Sequence, residues 1–335
     1  MTGPLPLAVS IGDPAGIGPE LIAEAWARRA TEGLAPFVVL GGANVLAEAA
    51  ALRGLQVPVI KVATPAESLT AFATALPVLG DEDSFYSPGE PCAAGAALAL
   101  HSLGSAVHLA SEGLAGAVVT APVAKAELAR TGFVFPGQTE FLAHACGLAA
   151  EDAVMMLAGP SLKAVPLTVH VPLAEVPGLL TTDLIVRRAR IVALALQEDY
   201  GIAAPHLALC GLNPHAGEEG RMGGEDREVI ATAITQLRAE GIDASGPHPA
   251  DTMFAPHKRA TYDVALAMYH DQALIPLKTL DFDKGVNVTL GLSIVRTSPD
   301  HGTAFDIAGR GIADPGAMIA ALRMAGEIAA RRRNG

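Results

Sequence analysis

Short runs of consecutive apolar residues alternate along the chain with longer segments in which apolar positions recur at three- and four-residue steps. The short runs Leu7–Ile11, Phe37–Leu40, Val57–Val62 and Ala117–Val119 read as strands. Val154–Leu157, Ala164–Val169, Leu207–Leu209, Val264–Met268 and Val286–Leu290 continue the series. Gly95–Glu112 and Thr181–Tyr200 carry the helical spacing. A further helix begins near Pro19, because proline is tolerated at the first helical position. Strands alternating with helices predict βαβ units, mostly parallel sheets and an α/β fold. No internal repeat or low-complexity linker interrupts the pattern. The Arg331–Arg333 tail suits a helix C-terminus, where cations meet the negative end of the dipole, and is assigned no function.

Length refines this picture. At roughly 150 residues per domain, 335 residues predict about two domains. Half the chain is hydrophobic but only 4% is aromatic, so the cores must be aliphatic. Lys and Arg number 23 against 35 Asp and Glu, a net charge of −12. That balance lacks the basic footprint of a nucleic-acid binder and argues equally against a polybasic membrane patch. The opening MTGPLPLAVSIGDPAG has no Lys or Arg and is broken by Pro4, Pro6 and Pro14, unlike a signal or transit peptide. No uninterrupted apolar run approaches the ~20 residues of a membrane span. Cys92, Cys146 and Cys210 are odd in number and far apart, so a disulfide framework or CxxC clip is not expected. A soluble, reduced, cytoplasmic protein is the expectation.

In open parallel sheets, ligands bind beyond the carboxyl ends of the strands. Three predicted strands deliver a histidine there: His170 after Ala164–Val169, His215 in GLNPHAGEEG after Leu207–Leu209, and His270 in YHDQ after Val264–Met268. Three imidazoles suit Zn²⁺ and similar ions and leave a coordination position for substrate. Asp271, beside His270, and Asp251, in PADT, are candidates to orient a ligand from behind. The bland alternative is chance: the chain has ten histidines, and no two share the local spacing of a zinc motif. His101, His108, His144, His206, His248 and His257 are read as surface or cap residues.

Lys278, Asn287 and Arg296 form a second candidate set, fixed donors of the kind that hold a phosphate, against the alternative of ordinary surface charge. Thr139, in GQTEF, is a candidate hydroxyl or N-cap donor. Gly12, Gly16 and Gly18 in GDPAGIGPE permit close backbone approach, and that loop leads into a helix N-terminus, which attracts anions. GxGxxG cannot be laid on this segment, so a plain strand–helix turn remains the alternative.

GDPAGIGPE, TAPVAK, GQTEFLA, HVPL, GLNPHAGEEG, GPHPADT, YHDQALIPLK, VNVTLGL and RTSPDHGTAFDIAG occur in this order between residues 12 and 309. Together they resemble the 4-hydroxythreonine-4-phosphate dehydrogenase family of vitamin B6 biosynthesis. HGTAFDIAG and GIGPE are also similar to segments of the wider isocitrate and isopropylmalate dehydrogenase superfamily. The resemblance implies a two-domain α/β/α sandwich with a cleft between domains. Residues 1–125 plus 297–335 would form the NAD-binding domain, and 126–296 the metal, substrate and dimerisation domain. It places the metal ligands on His170, His215 and His270, and substrate contacts on Gln138, Thr139, Lys278, Asn287 and Arg296. It assigns the NAD or NADP contacts to Gly12, Asp13, Gly16, Gly18, His301, Gly302, Thr303 and Asp306. Gln138 stands where the family usually has histidine, and an amide cannot titrate near neutrality.

The implied reaction is oxidation of the C3 hydroxyl of 4-phosphooxy-L-threonine, followed by decarboxylation to 3-amino-2-oxopropyl phosphate. It would use NAD or NADP and one divalent ion such as Zn²⁺, Mg²⁺ or Co²⁺, in a homodimer whose site borrows residues from the partner. Asp251, Asp271 and Lys278 are the candidate bases. The motifs do not separate this activity from oxidation of 4-phospho-D-threonate or 4-phospho-D-erythronate by a relative, and a non-redox metal-dependent lyase or acyltransferase on the same scaffold is a further alternative.

Overall fold

The computed structural model describes residues 3–334. The chain runs β1 (Leu7–Ser10), α1 (Gly18–Ala27), β2 (Phe37–Leu40), α2 (Ala43–Leu52), β3 (Val59–Val62), α3 (Pro65–Ala71), β4 (Leu76–Leu79), α4 (Ala93–Ser111), β5 (Ala117–Thr120), α5 (Lys125–Arg130) and α6 (Gln138–Ala145). It continues through β6 (Val154–Ala158), β7 (Lys163–Pro166), α7 (Thr182–Glu198), β8 (Leu207–Cys210), α8 (Ala231–Ala239), β9 (Ala244–His248), β10 (Val264–Ala267), α9 (His270–Asp281), β11 (Val286–Leu290), β12 (Arg296–Pro299) and α10 (Gly316–Asn334). Two compact units result, one from residues up to Ala150 with Leu292–Arg333, the other from Glu151–Gly291. The sequence reading drew the joints at 125/126 and 296/297. The structure groups residues 126–150 and 292–296 with the first unit because α5 packs on α4 and Arg296 hydrogen-bonds Gln138.

In the first unit the strand order is β3-β4-β2-β1-β5-β12, and every neighbouring pair is parallel. β1 is buried along its whole length between β2 and β5, as an uninterrupted apolar run requires. Pro19 does lie in the first turn of α1. α4 is long and apolar enough, by composition alone, to cross a membrane, which the sequence reading did not anticipate. Half of it is buried against β1, β2 and β5, so it is accounted for as a core helix.

The second unit orders its strands β11-β6-β7-β10-β8-β9. β7, β10, β8 and β9 are parallel, but β6 runs antiparallel to both β7 and β11. The cause is the four-residue link 159–162, too short for a crossover and therefore a hairpin. Asp281 at the end of α9 fixes that link by accepting from Ser161 N (2.8 Å) and Ser161 Oγ (2.9 Å).

Candidate active site

β7, β10 and β8 are adjacent and parallel, so the residues that follow them emerge at one end of the second unit's sheet. His170, His270 and His215 all follow these strands. His170 and His215 are exposed and both sit in the left-handed region, each with φ of 53°. An exposed imidazole on such backbone is not a core histidine. The rings of His170 and His270 lie 5.7 Å apart, centroid to centroid. They border an open pocket of about 270 Å³ that Thr168, Val171, Leu173 and Tyr269 also line. Asp271 Oδ1 is 2.7 Å from His270 Nδ1. A carboxylate accepting from Nδ1–H fixes the ring and leaves the Nε2 lone pair to act as ligand, the arrangement common behind metal-bound histidines. Among the described residues no three His, Cys, Asp or Glu side chains are grouped closely enough to hold a metal ion. The structure thus pairs His170 with His270 and carries His215 to the same end of the sheet without closing a three-donor cluster.

His215 lies on Pro214–Gly220, where His215, Ala216, Gly217, Glu218 and Glu219 all have positive φ, a left-handed turn. Left-handed backbone costs L residues roughly 1–2 kcal/mol each, so something must hold it. Asp226, 2% exposed, accepts from Leu212 N (2.8 Å), Asn213 N (3.2 Å) and Asn213 Nδ2 (2.9 Å). A Cβ on Gly211 or Gly217 would meet Asp226 at 2.7 or 3.0 Å, so these glycines exist to admit that carboxylate.

The other candidates of this unit are placed as follows. Asp251 is exposed on the turn Ala250–Met253 after β9, Lys278 lies on α9, and Asn287 is in β11. Asn287 Oδ1 is buried with no hydrogen-bond partner among the described residues, so it is an acceptor available to a ligand. Cys210 is inert, since burial pushes its thiol up to about 12.

In the first unit Arg296 is 5% exposed, and Nη2 donates to Thr120 Oγ1 (2.7 Å) and Gln138 Oε1 (2.9 Å). Burial lowers its guanidinium to about 10, still charged at neutrality. Both of these oxygens are neutral, and they fix the plane of the guanidinium. Thr139 is the second residue of α6, whose cap is Gly137, so the N-cap reading of Thr139 is corrected.

The glycine loop packs on the chain itself. A Cβ on Gly12 would meet Pro122 O at 2.5 Å, on Gly16 Thr303 O at 2.9 Å, and on Gly18 Ile11 O at 2.8 Å. Ile17 N donates to Thr303 O (3.0 Å), which stitches this loop to the segment of His301, Gly302, Thr303 and Asp306. Gly302 faces open space. Asp13 is buried, which pushes its carboxyl up; the Ala15 N–H opposes this and the Glu127 charge adds to it.

Sequence reasoning missed four residues that shape these sites: Thr120, Thr168, Asp226 and Gln272. Two had a signal: Gln272 is the last letter of YHDQ and Thr120 the first of TAPVAK. It also misread two histidines. His206 Nε2 and His248 Nε2 both contact Ser245 Oγ, at 2.7 and 2.9 Å, so they are half-buried network members, not surface or cap residues.

Residues 33–325 match the family model described as pyridoxal phosphate biosynthetic protein PdxA. The chain is 64% identical over 327 residues to 4-hydroxythreonine-4-phosphate dehydrogenase of Erythrobacter litoralis (strain HTCC2594), covering 98% of this chain and 97% of that one. It is 52% identical to the protein of the same name from Zymomonas mobilis, covering 98% and 96%. A crystal structure of 4-hydroxythreonine-4-phosphate dehydrogenase from Klebsiella pneumoniae superposes with a TM-score of 0.86 at 39% identity, covering 97% of this chain and 98% of that one.

Proposed function

We propose, since the chain belongs to the pyridoxal phosphate biosynthetic protein PdxA family, that it is the dehydrogenase that oxidises 4-phosphooxy-L-threonine at C3. The product, 2-amino-3-oxo-4-phosphooxybutanoate, loses CO₂ to give 3-amino-2-oxopropyl phosphate for pyridoxal phosphate. A dehydrogenase of this family implies a nicotinamide cofactor, here NAD or NADP, and we assign one divalent ion, Zn²⁺, Mg²⁺ or Co²⁺. The observation that carries the reading is the delivery of His170, His270 and His215 from three adjacent parallel strands, two of them on left-handed backbone.

The donors fit such an ion: two exposed imidazoles, a third held by a carboxylate on Nδ1, and an open pocket beside two of them. His170, His215 and His270 would hold it. When bound, the ion would supply Lewis-acid polarisation of the hydroxyl and the nicotinamide an acceptor for hydride. The chain's own residues do the rest. Arg296, with Gln138 and Thr139, binds the phosphate, a part of the substrate that does not react and whose binding energy orients C3. Asn287 Oδ1 and Lys278 complete the substrate contacts, the former accepting from the substrate amine. Asp271 is engaged in orienting His270, which leaves Asp251 and Lys278 as the candidates to receive the hydroxyl proton. Gly12, Asp13, Gly16, Gly18, His301, Gly302, Thr303 and Asp306 line the nicotinamide cofactor. The stitch between their two loops supports a shared role. The enzyme works as a cytoplasmic homodimer with the partner contributing to each site.

The test is formation of NADH at 340 nm from 4-phosphooxy-L-threonine and from 4-phospho-D-erythronate, with Zn²⁺, Mg²⁺, Mn²⁺ and Co²⁺ compared. Turnover of 4-phosphooxy-L-threonine is expected. Preference for the phospho-sugar acid would move the substrate assignment, and no absorbance change with any metal would overturn the redox reading.

A further inference from the structure

The ladder between β10 and β7 ends at Ala267↔Pro166, and that between β10 and β8 at Leu266↔Leu209. Past these rungs one more backbone bond, Leu167 N to the Ala267 carbonyl (2.8 Å), precedes cross-linking by side chains. Thr168 Oγ1 donates to the Met268 carbonyl (2.8 Å). Met268 N donates to Gln272 Oε1 (2.7 Å). Gln272 Nε2 donates to the Gly211 carbonyl (2.8 Å). Thr168 lies two residues before His170, Met268 two before His270, and Gly211 four before His215. One run of three bonds therefore joins all three histidine-bearing strand ends. It is shielded from water: Thr168 is 6% exposed, Met268 0% and Gln272 9%.

The chemistry of the central link is specific. One planar amide must accept from one strand end and donate to another. Glutamine does both, glutamate supplies only the acceptor, and methionine neither. Gln272 also belongs to the first turn of α9, the helix that begins at His270. Any shift of the amide is thus transmitted to that histidine's backbone.

We propose that Thr168 and Gln272 are positioning residues, which set the spacing of His170, His270 and His215 and thereby the affinity of the site for a divalent cation. The inference rests on the metal reading above. Buried groups that orient ligands from behind typically change metal affinity or activity by 10–100-fold when removed.

The test is titration of the full-length protein with Co²⁺, followed by calorimetry and by the visible d–d absorption of the bound ion. The variants are Thr168→Val, Gln272→Met, Gln272→Glu and the conservative Thr168→Ser, with His215→Ala as control. Thr168→Val and Gln272→Met are expected to weaken Co²⁺ binding ~10–100-fold and to change the d–d spectrum, as second-layer losses do. Thr168→Ser restores both, and Gln272→Glu restores neither, because the donor to Gly211 is still missing. Unchanged affinity and spectrum in Thr168→Val and Gln272→Met, with His215→Ala unable to bind, overturns the positioning role alone. Co²⁺ binding by His215→Ala equal to wild type overturns the metal reading, and the inference falls with it. Should Gln272→Met fail to fold, Thr168→Val against Thr168→Ser, which keeps the hydroxyl, decides the same question.

Discussion

The loops after β1 and β8, GDPAGIGPE and GLNPHAGEEG, look alike on paper. Each is rich in glycine and follows a buried parallel strand. Their physics is opposite. In the first, the left-handed position is given to Gly12, and the space its missing side chain leaves is filled by the carbonyl of Pro122. The second puts His215, Ala216, Glu218 and Glu219 in the left-handed region and anchors the residues just before them, Leu212 and Asn213, on Asp226. A loop that uses glycine where glycine is needed is relaxed. A loop that forces other residues into that region stores strain, and strain of this kind gathers at functional sites. Glycine content alone therefore marks the wrong loop as the unusual one.

The contrast breaks most readily at Gly12. Gly12→Ala puts a side chain on left-handed backbone and against a carbonyl, and should cost about 3 kcal/mol in urea unfolding. A loss below about 1 kcal/mol would mean that the first loop has slack. At Asp226 the opposite loop is tested. Asp226→Asn keeps the shape but gives up charge-assisted acceptance, so about 2 kcal/mol and much of the Co²⁺ affinity should go. Retention of both would show that the left-handed turn holds itself. Glu219→Gly removes strain and should raise stability by about 0.5–1 kcal/mol after the entropy of glycine is subtracted. Destabilisation there would argue that the turn is not strained at all.

The smallest effect belongs to Asp13. Burial raises its folded carboxyl above 3.8, so the folded state holds that proton more tightly than the unfolded state. The stability this contributes is complete below the unfolded value and is lost as pH rises through the folded one. Asp13→Asn escapes that loss. Its Tm advantage over the wild type should widen as pH rises from the acid range toward neutrality, and a flat difference would count against the burial explanation.

What could be read in the sequence follows from which forces leave a trace in residue type. β2 falls on its expected residues as a dense apolar run, and β11, VNVTL, as an alternating one. The histidines at strand ends were legible for the same reason. β12, Arg296–Pro299, was not, because its residues are polar and yet fully buried. It is made possible by partners far along the chain: Thr297 Oγ1 donates to Ala321 O (2.9 Å) and Arg296 to Thr120 and Gln138. β9, ASGPH, has no apolar run, and β4, LPVL, contains a proline that reads as a breaker. The direction of β6 is not encoded in hydrophobicity, although the four-residue link to β7 was a signal for a hairpin that went unused. Thr168 was invisible, and the role of Gln272 was too although YHDQ contains it, because both act only between strands that the chain order keeps apart.

The first unit is assembled from both ends of the polypeptide, and this bears on how the protein is made. During synthesis, β5 leaves the ribosome with one edge bare, and the strand that covers it, β12, is not made until the whole of Glu151–Gly291 has been translated. The intervening unit is contiguous in sequence. An open strand edge waiting that long is a template for mispairing, so the nascent chain is most exposed to aggregation, and most dependent on chaperones, in the interval before Arg296 arrives.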